Sequence, residues 1–541
     1  MKEGRSQITA NQRKPGGTII KQPILSSEEA VKLVKSGDTL AVQAFVGFSH
    51  PEELSIMLEQ RFLTTSEPRD ITLLYAAGNG DGKDKCANRY AHAGLLKRVV
   101  GSHYNLAPKL GKLIAENAIE AYALPQGVIL HLYRNMAGQK PGVITPVGLK
   151  TFADPRVEGG KLNPRTTEDL VKVITIEGKE YLHYLPQKID IAFIRGTTAD
   201  ELGNITMEKE AVLLEAYHLA LATKQQGGIV IAQVERIAAK GSLPSQQVKV
   251  PGVLVDALVI ARPEYHWQTN AVAYDPSLCG EVRRPMGSMP AMEMSERKVI
   301  ARRCAFELRP NVVLNLGVGM PDGVAAVANE EGLIDEITLT VESGPLGGVP
   351  AGGPNFGSSF NPLAILEHPN MFDFYDGGRL DLAYLGLAQA DEAGNINVSK
   401  FGSRVAGCGG FVNITQNAKK VVFCGTLTAG GLDVAVEDGK LRIIKEGKSK
   451  KFIKKVEQIT FSGAYAQEAG QAVLYITERA VFELTKDGLV LTEIAPGVDL
   501  EKDVLAQVEF PVKVSPKLKL MDSRIFIDTL MNIKPEILAK A

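Results

Sequence analysis

The feature that most constrains the fold of this chain is an internal duplication. Segments 71–82 and 337–348 share five identities in twelve positions, and segments 190–205 and 381–396 share eight in sixteen. Two blocks that recur in the same order indicate a duplicated domain rather than the short period of a solenoid. The copies are offset by 266 residues for the first block and 191 for the second, so the first copy carries 75 extra residues.

Within each copy, predicted strands alternate with predicted helices. With 541 residues, the chain has room for two domains of more than 200 residues each. The alternation predicts an α/β fold of two related open domains with mainly parallel sheets, which bind ligands at the carboxyl ends of their strands. The predicted elements are a helix at 26–34, a strand at 39–45, a helix at 51–58 and their counterparts, a helix at 295–308, a strand at 312–316 and a helix at 322–328.

Composition shifts divide the chain further. The segment between the copies holds the only tryptophan and little hydrophobic periodicity, which indicates a linker. After Pro516 the chain is expected to end in an appended helix. The predicted units are a basic tail at 1–24, an N-terminal domain at 25–262 with the insertion at about 92–165, a linker at 263–294 and a C-terminal domain at 295–541.

Charge and cysteine usage exclude several classes of function. A formal net charge of -1 favours neither nucleic acid nor an anionic membrane as a partner. The five cysteines have no metal-type spacing, which indicates reduced thiols and a cytoplasmic location. No apolar run approaches the ~20 residues of a membrane span. The basic tail lacks the apolar core of a signal peptide, and a transit peptide is the remaining alternative.

Glu342 is the strongest candidate for chemistry. It ends the strand-like run 339–341 and is followed by a glycine-rich stretch that includes Gly344, Gly347 and Gly348. A carboxylate at the carboxyl end of a buried strand, followed by residues too small to cover it, is placed to meet a ligand. The first copy has Ala76 at the matching position, so the chemistry is expected to be asymmetric.

Two further glycine-rich turns have alternative interpretations. Gly317-Val318-Gly319 does not complete a dinucleotide fingerprint; it is either a tight strand-to-helix turn or a loop facing an anionic or thioester ligand. The stretch 407–411 is either a crowded turn or a loop that presents backbone N–H groups to an oxyanion. Cys408 within it has no evident histidine partner, and the eight histidines show no metal-type spacing, so no metal is expected.

Several motifs together carry a resemblance to a known family. They are the Glu-x-Gly segment at Glu342, Tyr122–Gly127, Asp154–Asn163, Asp373–Asp381, Gly407–Phe411 and Ile494–Asp499. With them the chain, over about residues 25–530, resembles the family I coenzyme A transferases. The resemblance is to the acetate/propionate and short-chain 3-oxoacid group in which both halves are fused on one polypeptide.

The resemblance implies a ping-pong exchange of CoA between short carboxylic acids. Glu342 matches the family's nucleophile, which passes through an acyl-glutamyl anhydride to a glutamyl-CoA thioester. CoA is then a substrate and no cofactor is needed; the family suggests a homo-oligomer, a tetramer. The remaining matches are Gln126 as an oxyanion and carboxylate partner, Gly409 and Gly410 as the oxyanion loop, and Gly317, Val318 and Gly319 as the CoA-facing turn.

General properties of a carboxylate nucleophile support the same reaction independently of the family resemblance. A carboxylate with a reference pKa of about 4.3 needs no general base, which explains the absence of a Ser/His/Asp set. It is a poor nucleophile in water, so the site should exclude water and hold donors over the developing oxyanion. The small residues around Gly347 and Gly348 are expected to leave a channel for the pantetheine arm of CoA.

Two other classes of function stay open at this point. An acyl-CoA hydrolase on the same scaffold would use the same glutamate but admit water, and would consume acyl-CoA without an acceptor acid. A non-catalytic ligand sensor would form no covalent adduct and give Glu342 no role. The absence of a helix-turn-helix pattern and of a basic patch argues against a DNA-binding regulator.

Overall fold

The computed structural model describes residues 21–285 and 292–540, and it contains two large sheets. Most of the predicted basic tail and part of the predicted linker therefore lie outside the described residues. All eight strands of the first sheet are parallel. In spatial order they are Ile24–Leu25, Ala257–Ile260, Ile229–Val234, Ile191–Arg195, Thr39–Val42, Ile71–Leu74, Leu96–Gly101 and Glu120–Ala123.

The second sheet has ten strands and a mixed arrangement. Its five central strands are parallel, and antiparallel strands flank them on both sides. In spatial order they are Ala364–Ile365, Pro345–Leu346, Ile337–Thr340, Val312–Leu316, Leu382–Gly386, Lys420–Cys424, Ala472–Ile476, Ala480–Thr485, Gly488–Ile494 and Lys513–Leu520.

Five neighbouring strands occur in the same order in both sheets, which confirms the predicted duplication. Ala257–Ile260, Ile229–Val234, Ile191–Arg195, Thr39–Val42 and Ile71–Leu74 correspond to Ala472–Ile476, Lys420–Cys424, Leu382–Gly386, Val312–Leu316 and Ile337–Thr340. The central strand Ile191–Arg195 is buried along its whole length, as its continuous apolar run requires in a parallel sheet covered on both faces.

Helices cover both sheets, and serine side chains cap two of the equivalent ones. Ser26 and Glu29 form a capping box at the start of the first helix, and Ser295 accepts the Lys298 N–H in the second copy. The α-helices are Ser27–Val31, Glu52–Thr65, Pro108–Ala115, Gln126–Ala137, Ala216–Gln225, Glu296–Ala305, Asp322–Glu330, His368–Asp376, Phe411–Asn417, Gly463–Ala469 and Lys534–Leu538.

None of the helices in the described parts of the chain combines the length and the apolar character that crossing a membrane would require.

Smaller sheets and hairpins lie in the connections between the elements of the two large sheets. A four-stranded and a three-stranded sheet belong to the first copy, and the remaining two-stranded pairs to the second. The strands are Thr198–Asp200, Ile205–Thr206, Arg236–Ala238 and Val248–Val250; Val143–Thr145, Val171–Ile176 and Lys179–Tyr184; Val349–Pro350 with Ser359–Phe360; Gln389–Ala390 with Ile396–Asn397; Lys400–Phe401 with Arg404–Val405; Thr428–Ala429 with Ser449–Lys450; and Asp433–Glu437 with Lys440–Lys445.

The extra residues of the first copy extend its sheet and position one functional helix. Within 92–165 the chain adds the strands Leu96–Gly101 and Glu120–Ala123 beyond Ile71–Leu74. The second strand is followed at once by the helix Gln126–Ala137. Gln126 therefore stands at the carboxyl edge of the first sheet, where ligands are expected in parallel sheets.

Two element predictions need correction. The expected strand 39–45 ends at Val42, and Phe45 instead bridges to Phe48 in a tight turn in which Val46 adopts a φ of 59°. The expected C-terminal helix is instead the strand Lys513–Leu520 followed by irregular chain with a 3-10 turn at Ser523–Phe526, and only Lys534–Leu538 is α-helical. The strand lies at the edge of the second sheet, where Pro516, which has no N–H to donate, is tolerated.

Candidate functional site

Glu342 lies in a tight turn at the carboxyl edge of the second sheet. The turn joins the strands Ile337–Thr340 and Pro345–Leu346, and the Gly344 N–H closes it by donating to the Val341 carbonyl oxygen at 3.0 Å. Gly344 has a φ of 135°, and a Cβ there would stand 2.2 Å from the Leu366 carbonyl oxygen. Only glycine fits, so the turn that carries Glu342 depends on this residue.

A cavity of about 350 Å³ separates the carboxyl edges of the two sheets at this point. One wall follows strands of the first copy, and the other, which includes Glu342, belongs to the second copy. The first wall is formed by Phe45, Val46, Gly78, His103, Asn105, Leu106 and Gln126, and the second by Asn315, Leu316, Gly317, Val318, Val341, Glu342, Gly353, Phe356, Leu385, Cys408, Gly409, Gly410 and Phe411.

The Glu342 carboxylate is largely desolvated and has one polar side-chain neighbour. Burial raises its pKa to about 7, and a hydrogen bond from the Gln126 side chain acts in the opposite direction. A Cβ at Gly410 would stand 2.6 Å from Glu342 Oε2, so the glycine lets the carboxylate approach the backbone. A carboxylate with few donors around it is a stronger nucleophile than one in water.

Gln126 belongs to the first copy, but it is held by residues of the second. Its backbone N–H donates to the Gly409 carbonyl oxygen at 3.1 Å, and its Nε2 lies 2.9 Å from Nε2 of His368. The side chain is 1% exposed. The structure therefore brings the two predicted residues Glu342 and Gln126 together across the interface between the halves.

The two predicted oxyanion-loop glycines differ in the use of their N–H groups. The N–H groups of Cys408 and Gly409 both donate to the Ser102 carbonyl oxygen, at 2.7 and 3.0 Å. The Gly410 N–H has no acceptor among the hydrogen bonds of the described residues, and it adjoins the Glu342 carboxylate. Burial raises the pKa of the Cys408 thiol, which makes a thiolate nucleophile unfavourable there.

The five residues predicted to face CoA fall into two groups. Gly317 and Val318 line the cavity, and Val318 is 62% exposed at its mouth. Gly319 lies outside the cavity wall, with its carbonyl oxygen accepting from Arg297 at 2.9 Å. Gly347 and Gly348 also lie outside it, in the turn between Pro345–Leu346 and Val349–Pro350 with φ near 70°. A Cβ at Gly348 would stand 2.2 Å from the Phe360 carbonyl oxygen, so this turn needs glycine for its own geometry.

A second cavity of about 380 Å³ adjoins the first. The two share Leu316, Val341, Gly353 and Phe356, and the second extends past Gly352 to the side chains of Arg297 and Asp322. Together they form a passage from the Glu342 carboxylate toward a charged rim. Its lining of small and apolar residues suits a narrow, flexible ligand arm.

One group of possible metal ligands lies away from Glu342. His50, Glu52 and Cys86 are close to one another and buried. They have partners within the protein, however: His50 Nε2 bonds to Ser55 Oγ at 2.8 Å, and Glu52 pairs with Arg89 at 3.1 Å. Burial and nearby arginines lower the pKa of His50 to about 3. The paired carboxylate and the local positive charge do not suit a cation.

Sequence reasoning missed three polar residues near the site. His103 lines the cavity, and burial together with Arg404 lowers its pKa to about 4, so the imidazole is neutral. His368 and Glu215 stand behind Gln126 and are 0% exposed. No short motif marks these residues; the one available signal is that His368 lies five residues before the family-like segment Asp373–Asp381.

The fold and this geometry define a two-domain α/β enzyme that carries a desolvated carboxylate between its halves. The sequence profile described as Coenzyme A transferase matches residues 24–261. A caffeate CoA-transferase of Acetobacterium woodii is 48% identical, with 94% of this chain and 99% of the relative covered. An acetate CoA-transferase of Escherichia coli, YdiF, is 43% identical over 95% of this chain and 97% of the relative.

The solved structures agree with the sequence comparisons. The Escherichia coli acyl-CoA transferase YdiF, in a thioester complex with CoA, superimposes with a TM-score of 0.90 at 42% identity. That match covers 95% of this chain and 97% of the other. The chain belongs to the coenzyme A transferase family, and it is a CoA-transferase in the fused two-domain form.

Proposed function

We propose that this enzyme moves CoA between a short-chain acyl-CoA and a free carboxylate, with acetate or propionate as the preferred acids and acetoacetate as a further acceptor. The observation that carries the proposal is the desolvated Glu342 carboxylate in the cavity between the halves, beside the Gln126 amide. The relative that acts on acetate supports the choice of acids.

The proposed reaction is ping-pong and needs no external acid or base. The Glu342 carboxylate attacks the acyl-CoA carbonyl carbon, and loss of the CoA thiolate leaves an acyl-glutamyl anhydride. The thiolate then attacks the glutamyl carbonyl carbon and expels the free acid, which leaves a glutamyl-CoA thioester. An incoming carboxylate reverses these steps. The first step forms a carbon–oxygen bond and breaks a carbon–sulfur bond, and the second step does the reverse, so no proton or electron is left over.

The surrounding groups are assigned roles in the same scheme. In this proposal the side-chain amide of Gln126 and the Gly410 N–H stabilise the oxyanions that form beside Glu342. The passage past Gly352 and Gly353 would hold the pantetheine arm, with Gly317 and Val318 at its wall. Binding of the remote part of CoA would then contribute to the strained covalent step.

A second candidate acceptor is a hydroxylated aromatic acid. The relative with 48% identity acts on caffeate, and the rings of Phe45, Phe356 and Phe411 line the cavity beside Glu342. A cavity of about 350 Å³ has the volume of ordinary small-molecule sites. A competition between acetate and caffeate for the CoA-loaded enzyme separates the two candidates.

We further propose a cytoplasmic homo-oligomer, a tetramer by resemblance to the family. Five free cysteines, four of them buried, support a reducing compartment. Size-exclusion chromatography with light scattering tests the oligomeric state.

The decisive experiment is intact mass spectrometry after incubation with acetyl-CoA and no acceptor acid, on wild type and on Glu342→Ala. Wild type is expected to gain the mass of CoA less one water, and the adduct should be lost on treatment with hydroxylamine or borohydride. Glu342→Ala should gain nothing. Steady consumption of acetyl-CoA without an adduct would indicate a hydrolase instead. No adduct and no turnover with any donor would indicate a binding protein.

A further inference from the structure

Four polar side chains form a line that crosses the interface between the two halves three times. Glu215 and Gln126 come from the first half, and His368 and Glu342 from the second. His368 Nδ1 lies 2.9 Å from Glu215 Oε2, and His368 Nε2 lies 2.9 Å from Gln126 Nε2. Gln126 and Glu342 line the same cavity, where the Gln126 side chain acts as a hydrogen-bond partner that lowers the pKa of the Glu342 carboxyl. Glu215, His368 and Gln126 are at most 1% exposed, so water does not compete for these bonds.

We propose that Glu215 and His368 are positioning residues that fix the amide orientation of Gln126, so that an N–H rather than the carbonyl oxygen meets the Glu342 carboxylate and the oxyanions formed from it. This inference rests on the proposed glutamyl-thioester route and adds to it. It assigns a role to two side chains that do not touch the reacting atoms.

The polarity of the line follows from the chemistry of its members. In the proposed arrangement the Glu215 carboxylate oxygen is the acceptor, which holds the imidazole proton on Nδ1 of His368. The Nε2 atom then presents a lone pair, which takes one of the two amide hydrogens of Gln126. The second amide hydrogen is left for Glu342. With the proton on the other ring nitrogen, His368 would draw the amide oxygen instead and turn it from its present place near Gly409.

A reversed amide would harm the reaction. The two ends of a glutamine amide are nearly equal in size, so packing alone does not choose between them. A carbonyl oxygen directed at Glu342 would repel the carboxylate and each oxyanion that forms from it. Losing one preorganised oxyanion donor costs about 10²–10³-fold in rate.

The placement of Glu215 itself indicates a function beyond packing. Its Oε1 atom is buried without a hydrogen-bond partner, which normally destabilises a fold by ~1–3 kcal/mol. The preceding residue, Leu214, has a φ of 53°, a strained value for a leucine. The Leu214 carbonyl oxygen also accepts the His368 backbone N–H at 3.1 Å. Backbone and side chain thus both attach this segment to His368.

His368→Phe removes the acceptor and keeps the ring. The imidazole packs against Phe45 and Phe372, with ring centroids 5.7 and 5.6 Å away, so a phenyl ring suits the same space. The rate of thioester formation, followed by rapid quench and intact mass with acetyl-CoA, should fall roughly 10- to 100-fold. The KM for acetyl-CoA should stay within about threefold, because His368 does not line the cavity in which acetyl-CoA is proposed to bind.

Two companion variants separate positioning from packing. In His368→Gln the amide oxygen replaces Nε2 and the amide nitrogen replaces Nδ1, so the polarity of the line is kept; this variant should react at least about fivefold faster than His368→Phe. In a Gln126→Ala background, His368→Phe should cause almost no further loss, because its effect passes through Gln126.

His92→Phe is the matched control. His92 also pairs with a glutamate, Glu59 at 2.8 Å, and packs against a phenylalanine ring, but it is remote from Gln126. Its rate should stay within about twofold of wild type. If His368→Phe does not fold, Glu215→Leu takes its place, with the same expected direction and the same Gln126→Ala test.

The outcomes are distinguishable from a failure of the proposed function. If wild type forms no thioester, the proposed route is wrong before any variant is compared. If wild type forms it and His368→Phe reacts at the wild-type rate, the positioning inference alone is overturned. Equal losses in the presence and absence of the Gln126 side chain would also overturn it, since His368 would then act independently of the amide.

Discussion

The two halves of this enzyme share a scaffold and differ at the same strand end. In the second half, the strand Ile337–Thr340 is followed by Glu342, which reaches the cavity. In the first half, the equivalent strand Ile71–Leu74 is followed by Ala76, which is completely buried. The first half instead contributes Gln126, from an inserted segment that the second half lacks. Duplication thus supplied two similar edges, and the chemistry arose where the edges diverged.

The strongest test of this comparison moves the carboxylate from one half to the other. The double variant Glu342→Ala, Ala76→Glu should remain at least about 10⁴-fold below wild type in turnover, because position 76 faces the core and not the cavity. Urea unfolding should also show a loss of several kcal/mol, since a buried charge without a partner is costly. Ala76→Glu alone is the control for tolerance of the substitution. A CoA adduct at position 76 would show that the strand end of the first half also reaches the substrate, contrary to the proposed asymmetry.

The pH dependence sharpens the role of desolvation at Glu342. Because burial raises the carboxyl pKa to about 7, the protonated and inactive form accumulates below neutral pH. We expect kcat/KM for acetyl-CoA to fall about 50-fold between pH 7 and pH 5. Binding of acetyl-CoA to Glu342→Ala over the same range controls for titration of the CoA phosphates. If kcat/KM instead falls only near the ordinary pKa of a glutamate, the Glu342 carboxylate is well solvated.

The smallest effect is expected on stability, at a turn that the two halves have in common. Asp200 and Asp391 occupy equivalent turns, and each accepts the backbone N–H and the side-chain Nδ2 of an asparagine four residues later, all at 3.0 Å. Asp200→Ala and Asp391→Ala should each lower the free energy of unfolding by about 1–3 kcal/mol. The two losses should be similar and measurable by urea denaturation, with thioester formation retained. A large difference between them would show that the halves contribute unequally to stability.

Much of the fold could be predicted because it depends on local pattern and repetition. The repeated Asp-Glu-x-Gly-Asn-Ile segments and the apolar runs before them predicted two related α/β domains. The C-terminal segment could not be predicted in this way. Its alternating pattern around Pro516 is compatible with an edge strand, but the partner strand Gly488–Ile494 is what selects that conformation.

The candidate site shows the same division. A carboxylate after a strand and before Gly344 was recognisable, because both features are adjacent in sequence. Gly347 and Gly348 were expected to face CoA; they form a hairpin turn beside the wall of the first cavity, and their contact with CoA stays a prediction. A glycine needed for a turn and a glycine needed for a ligand look alike in sequence, since both lack a side chain.

The duplicated α/β architecture, the asymmetry between Glu342 and Ala76, and the glycines that follow the carboxylate are all encoded locally and can be recognised in the sequence. The line from Glu342 through Gln126 and His368 to Glu215 exists only in the folded molecule. Its members come from distant parts of the chain and alternate between the two halves. Each of its hydrogen bonds depends on how two sheets face one another, and that geometry is set by the packing of the whole molecule.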